Sequence, residues 1–211
     1  ITMPHKVAVI ELLDEVSTAV RAAGSCNAVR KTPDGRLLGD MFDGLGFVRA
    51  LNSKGFQVNG QSAMLIGAGG VGSAIAAALA QAGLAQLDLY DIDLGTAQAL
   101  QQRLQRHVPQ MQVRLSNNRP QGQSLVIHAS PLGMNPQDPH PFDFSLLRAS
   151  QWVAEVVLQP QPTPLLRHAM ALGCSTLQGS DMLFEQIPAY LEFFGLPLTS
   201  VQELRRLSGQ P

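Results

Sequence analysis

The chain has 211 residues, 45% of them hydrophobic and 15% charged, with a formal net charge of −1. That is an ordinary core-forming composition for one or two domains, with no basic face for nucleic acid. No apolar run approaches the ~18 residues that cross a bilayer, so no membrane partner is expected.

The start, Ile1-Thr2-Met3-Pro4-His5-Lys6, matches neither a signal peptide nor a tag, and it reads as the continuation of a longer chain. Val9, Leu12, Leu13, Val16 and Val20 then recur at helical spacing and predict an amphipathic helix over residues 6–23. Asn27–Lys31 and Arg36–Gly39 flank Thr32-Pro33-Asp34-Gly35, a hairpin signal. A helix is expected over residues 44–54. Residues 1–59 are short and polar for an independent domain, which again suggests further chain upstream. Cys26 and Cys174 lie far apart without metal-ligand spacing, as reduced thiols of a cytoplasmic protein would, and no metal is expected.

The segment from Ala63 to Asp91 is the most informative. Ala63–Ile66 is an apolar run suited to a buried strand, and it enters Gly67-Ala68-Gly69-Gly70-Val71-Gly72, which fits G-x-G-x-x-G. Val71, Ile75, Leu79 and Ala82 follow at helical spacing, Gly83 can end that helix, and a second apolar run, Leu87–Tyr90, ends on Asp91. Gly67 allows the sharp turn, Gly69 leaves room for a pyrophosphate, and Gly72 lets helix and strand pack closely. Orphan N–H groups at the helix start can hold phosphate. Asp91, 24 positions after Gly67, can accept from ribose hydroxyls. Glycines serving packing alone are the bland alternative; the full order of strand, turn, helix, strand and acid favours a dinucleotide site. The run Tyr90-Asp91-Ile92-Asp93-Leu94 holds two acids and no base, and the next basic residue is Arg103, inside the following helix. A carboxylate repels a 2′-phosphate, so NAD is expected rather than NADP.

Further strands are predicted at Gln112–Leu115, Leu125–His128, Val153–Val157 and Ser175–Leu177, with helices at Leu94–Val108 and Pro164–Leu172. Alternating strands and helices give an α/β chain with a Rossmann-type doubly wound parallel sheet over residues 60–180, preceded by a partial α/β substrate domain. Met182–Phe194 and Ser200–Ser208 read as closing helices, the first kinked or interrupted by Pro188.

Five ordered blocks resemble the shikimate/quinate dehydrogenase family. Thr2-Met3-Pro4-His5-Lys6, Gly24-Ser25-Cys26-Asn27-Ala28 and Gly39-Asp40-Met41-Phe42-Asp43-Gly44-Leu45-Gly46 are similar to blocks preceding its nucleotide domain. His128-Ala129-Ser130-Pro131-Leu132-Gly133-Met134 resembles its nicotinamide-side loop. Leu172-Gly173-Cys174, with Gly179, Met182 and Gln186, resembles its C-terminal block. The similarity spans nearly the whole chain and is strongest to the NAD-preferring quinate/shikimate branch. It implies the end of a substrate-binding domain over 1–59, an NAD-binding domain over 60–180, and C-terminal helices over 181–211 packing back towards the first. The family's paired serines that grip the substrate carboxylate would fall upstream of Ile1.

The resemblance makes Lys6 and Asp43 the catalytic pair and gives Asn27 and Gln186 to the substrate. Dinucleotide contacts fall to Gly67, Ala68, Gly69, Gly70, Val71, Gly72, Asp91, Ile92, Ser130, Gly133, Met134, Gly179 and Met182. The chemistry agrees, because alcohol oxidation needs a group to carry the hydroxyl proton as hydride leaves for nicotinamide. Plainer roles stand beside these: a solvated surface lysine, an Asp43 N-cap, a turn residue at Asn27, a helix-surface amide at Gln186 and core packing by Met134. His5 is read as a residue flanking the lysine, and Glu155 as either a helper acid or a strand-end charge.

Met41-Phe42 stand where the family usually carries Asn-Thr, His128-Ala129-Ser130 where it has Asn-Ala-Thr, and Leu158 in place of a common Tyr. Apolar residues near a polyhydroxylated acid remove hydrogen-bond partners. The expected function is reversible hydride transfer between a ring hydroxyl of a cyclic hydroxy acid and NAD, in aromatic amino acid biosynthesis or quinate metabolism, by a monomer or homodimer. The alternatives are a paralogue acting on a less polar or amino-substituted acid, and a non-catalytic NAD-binding module.

Overall fold

The computed structural model describes residues 1–159 and 161–209. In chain order the elements are β1 (Glu15–Val16), α1 (Thr18–Ala23), β2 (Ala28–Lys31), β3 (Leu37–Asp40), α2 (Asp43–Ser53), β4 (Ser62–Ile66) and α3 (Gly70–Gln81). There follow β5 (Gln86–Tyr90), α4 (Leu94–His107), β6 (Gln112–Leu115), β7 (Leu125–His128) and β8 (Trp152–Glu155). The chain closes with α5 (Pro164–Leu172), β9 (Ser175–Leu177), α6 (Gly179–Phe193) and α7 (Val201–Ser208).

Six parallel strands run in the order β6-β5-β4-β7-β8-β9, the doubly wound arrangement expected from the sequence. Every residue of β7, and every residue of β4 after Ser62, is buried, because helices cover both faces of a parallel sheet. The strand order reverses between β4 and β7, and the crevice beyond their carboxyl ends is where such folds place ligands. The strand expected to reach Val157 stops at Glu155. Val156 and Val157 instead turn their carbonyls beneath Gly179, where an added Cβ would lie 2.7 and 2.8 Å from their oxygens.

The amphipathic helix expected over residues 6–23 does not form. A 3-10 turn at Ala8–Leu12 gives way to β1, which pairs in parallel with β3, and only Thr18–Ala23 is α-helical. Two bonds enforce the break, one long-range and one local: Leu37 N donates to the Asp14 carboxylate at 2.7 Å, and Ser17 Oγ accepts from Val20 N as an N-cap. Gly24, left-handed at φ +67°, ends α1. The expected hairpin is present, with β2 antiparallel to β3. Pro188 does not interrupt α6, which is assigned as helix through it.

Helix α2 carries the site and lies between α3 and α6 at two glycines. A Cβ on Gly44 would lie 2.1 Å from the Ala74 carbonyl oxygen, and one on Gly46 would lie 2.6 Å from that of Met182. The backbones touch, so the first turn of α2 is fixed against both neighbours. Gly44→Ala should therefore cost about 1–3 kcal/mol through overpacking and lower Tm by several degrees in a thermal melt. An unchanged Tm would show that the α2–α3 contact relaxes freely.

Candidate active site

Lys6 Nζ lies 2.5 Å from Asp43 Oδ2, and the two side chains are only 11% and 5% exposed. The pairing is long-range and built from backbone upward. Cys26 N donates to the Lys6 carbonyl at 2.7 Å, which sets Lys6 beside Asn27. Asn27 Oδ1 accepts from Phe42 N at 3.0 Å, and its Nδ2 donates to Asp43 Oδ1 at 2.8 Å. One buried amide thus holds both the entry to α2 and the free oxygen of Asp43. Asp43 is the first residue of α2, and Phe42 is its N-cap without a side-chain bond, so the carboxylate serves Lys6 and Asn27. His5 is exposed and stands apart from this pair.

The glycine turn sits against the same lysine. An ideal Cβ on Gly70 would lie 3.0 Å from Lys6 Cβ, and buried Ser25 donates its hydroxyl to the Gly70 carbonyl at 2.7 Å. Gly67 adopts φ +105°, and a Cβ on Gly72 would lie 2.0 Å from the Gly67 carbonyl oxygen, so strand and helix meet closely. Gly69, by contrast, faces open space. That open position, followed by the unpaired N–H groups at the start of α3, suits a pyrophosphate. Asp91 accepts from Ala68 N at 2.6 Å and from Asp93 N at 2.9 Å, tying the acid to the turn while leaving lone pairs for a ribose. Ile92 beside it is 94% exposed. These residues fit a dinucleotide.

A cleft of about 270 Å³ opens between the turn and α6, near the lower end of small-molecule sites, which run from roughly 300 Å³. Its polar side chains include Thr2, Lys6, Asp43, Gln186 and Tyr190, and its apolar wall includes Val71, Leu158 and Met182. Gln186 is 4% exposed, and its Oε1 has no hydrogen-bond partner among the described residues. A buried acceptor left unpaired is costly, so a ligand donor is its natural complement. Burial first, then the charge of Asp43, raises the Tyr190 phenol far above its ordinary range, which keeps it a donor. Its ring packs edge-on to Phe42 at 5.0 Å.

Of the positions that depart from the family pattern, Leu158 lines the cleft, Met41 and Phe42 are buried in the core, and His128, Ala129 and Ser130 stand outside the cleft wall. Gly179 begins α6, while Ser130 and Gly133 are half-buried on a loop after β7. Met134 on the same loop is half-exposed and, like Ile92, stands outside the cleft wall. Tyr190 escaped sequence reasoning, although Met182, Gln186 and Tyr190 recur every four residues on one helix face. At the carboxyl ends of β7 and β8, His128 Nδ1 lies 2.6 Å from Glu155 Oε1 and Nε2 lies 2.5 Å from Ser130 Oγ. Glu155 is thus a charge at the end of β8, buried rather than exposed, and it stands outside the cleft wall.

Comparisons with known proteins cover nearly the whole chain. A quinate/shikimate dehydrogenase (NAD(+)) of Corynebacterium efficiens is 37% identical over 202 residues, spanning 93% of this chain and 71% of that protein. A shikimate dehydrogenase (NADP(+)) of Rubrobacter xylanophilus is 34% identical over 215 residues, spanning 100% of this chain and 76% of the relative. The structure of quinate dehydrogenase from Corynebacterium glutamicum in complex with NAD superposes with a TM-score of 0.86 at 36% identity, covering 97% of this chain and 74% of that one. No protein-family model matches the chain.

Gln186→Leu tests whether the unpaired amide belongs to a ligand site. Because Oε1 makes no internal bond, Tm should hold or rise on substitution, while affinity for a hydroxylated ligand falls. A loss of about 1–3 kcal/mol in unfolding free energy would instead mark Gln186 as a structural residue.

Proposed function

The chain belongs to the shikimate/quinate dehydrogenase family, and from that premise we propose that it transfers hydride reversibly between a ring hydroxyl of a cyclic hydroxy acid and NAD. The observation that carries this reading is the 2.5 Å contact of Lys6 Nζ with Asp43 Oδ2, packed against the glycine turn.

A bound nicotinamide supplies the hydride acceptor. The chain's own residues handle the proton and the geometry. In reduction the Lys6 ammonium gives a proton to the ketone oxygen, and in oxidation its deprotonated form, the amine, takes the hydroxyl proton as the carbinol hydrogen leaves with its bonding electrons. Asp43 holds Nζ in line, and Asn27 holds Asp43. Gln186 Oε1 accepts from a second hydroxyl and Tyr190 donates, so one face of α6 offers the ring both an acceptor and a donor. Residues 1–59 and 181–211 act together as the substrate-binding part, and residues 60–180 as the dinucleotide-binding part, because Lys6, Asn27 and Asp43 precede β4 and Gln186 and Tyr190 lie on α6, while the turn joins β4 to α3.

NAD is preferred over NADP on electrostatic grounds. Asp91 and Asp93 put two carboxylates and no base after β5, where they would repel a 2′-phosphate, and Arg103 is engaged elsewhere. Its guanidinium donates to the Ala23 carbonyl at 3.2 Å, beneath Gly24. A second reading concerns the substrate alone. Leu158 on the cleft wall offers no hydrogen bond, which favours an acid with fewer hydroxyls, or an amino-substituted one, over shikimate or quinate.

Two measurements check these statements. Across a panel of cyclic hydroxy acids followed by NADH absorbance, Lys6→Ala should lower kcat by roughly 10²–10⁴-fold; turnover that survives the substitution eliminates Lys6 as the proton carrier. By titration, Kd for NAD should be lower than for NADP, and tighter NADP binding overturns the assignment made from Asp91.

A further inference from the structure

The proton-transfer step makes no use of a second buried polar group of residues beside the glycine turn. His128 and Glu155 are register partners on β7 and β8, and both are fully buried. Thr163, also fully buried, donates its hydroxyl to Glu155 Oε2 and caps α5 by accepting from Leu166 N at 3.2 Å. A carboxylate only accepts, so the 2.6 Å contact assigns the proton to His128 Nδ1. Nε2 lies 2.5 Å from Ser130 Oγ, and in the neutral ring it is the acceptor of the Ser130 hydroxyl. Leu132 N in turn donates to Ser130 Oγ at 3.3 Å. Donors therefore run in one direction, from the loop into the core, and end on one carboxylate.

The loop meets this file twice. Ser130 is its first contact. Gly133 is the second, because with φ +91° the chain folds over Glu155, whose Oε1 lies 3.7 Å from an ideal Cβ there. On the outer side, Asp138 Oδ2 accepts from Gly133 N at 2.9 Å and from Asn135 N at 3.0 Å. Beneath, a Cβ on Gly67 would lie 2.8 Å from Ser130 N, so loop and glycine turn are in direct backbone contact. Asp91, after β5, takes the adenosine side of the switch point. The loop after β7 lies across it, on the side left for the other half of a dinucleotide.

We propose that His128, Glu155 and Thr163 are positioning residues that fix the 130–134 loop, through Ser130 and Gly133, against the nicotinamide half of the cofactor. The three do not touch the cofactor themselves. This rests on the dinucleotide reading of the glycine turn.

The test compares NADH with ADP-ribose, which shares the adenosine and pyrophosphate but lacks nicotinamide. Kd for each is measured on the full chain for wild type, His128→Phe, Thr163→Val and Thr163→Ser. His128→Phe is expected to raise Kd for NADH about tenfold and to leave ADP-ribose within about twofold. Thr163→Val should give a smaller split of the same sign, and Thr163→Ser, which keeps the hydroxyl, should restore wild-type NADH affinity. If His128→Phe does not fold, the Thr163 pair decides alone. Equal weakening of both ligands, or unchanged NADH affinity in the folded variants, overturns the positioning role and leaves the cofactor reading intact. Wild-type protein that binds neither ligand overturns both.

Discussion

An ammonium and a carboxylate held 2.5 Å apart inside the protein set the terms for the rest of this structure. Removing both charges from water costs several kcal/mol per ion, and mutual attraction offsets that only when the remaining oxygens are satisfied. Asn27 meets that requirement by donating to the second Asp43 oxygen, and its own carbonyl is used by Phe42 N. The two glycines of α2 then let that helix approach α3 and α6 closely enough to bring Asp43 beside the glycine turn. Such a pair adds little to stability over an apolar replacement, so its presence in a cleft beside a glycine turn points to chemistry.

The parallel sheet was legible because buried strands read as continuous apolar runs and need no knowledge of their partners. Leu125–His128 stands where the residues alone put it, and β4 and β5 each begin one residue before the apolar runs from Ala63 and Leu87. The helix expected over residues 6–23 failed for the opposite reason. Its apolar spacing fits a helix, but β1 forms by pairing with β3, more than twenty residues away in sequence. Ser17 and Gly24, the caps of the short α1, were visible signals that a long periodic pattern overrode.

Within the site, the glycine turn, Asp91, Lys6 and Asp43 could be marked from sequence, the last two only by resemblance to a family. What sequence could not supply was the wiring between them. Asn27 reads as a turn residue until the hairpin start and α2 are brought together. Met41 and Phe42 read as substrate-pocket changes until packing buries them, which leaves Leu158 as the apolar substitution facing the cleft. His128 and Glu155 look unrelated along the chain, and only the register of β7 on β8 makes them neighbours. Two polar arrangements therefore flank one glycine turn, the Lys6–Asp43 pair in the cleft and the His128–Glu155 pair behind the facing loop.

The central claim is that Lys6 and Asp43 act on an alcohol whose hydride goes to a dinucleotide on that turn. Its most direct measurement is isotope transfer from a cyclic hydroxy acid deuterated at the carbinol carbon, with NAD and the full chain, read by mass spectrometry of the nicotinamide product. Wild type should give singly deuterated NADH, and Asp43→Asn should bind NAD as well but transfer deuterium roughly 10²-fold or more slowly. Undiminished transfer by Asp43→Asn, with NAD equally bound, would contradict the account.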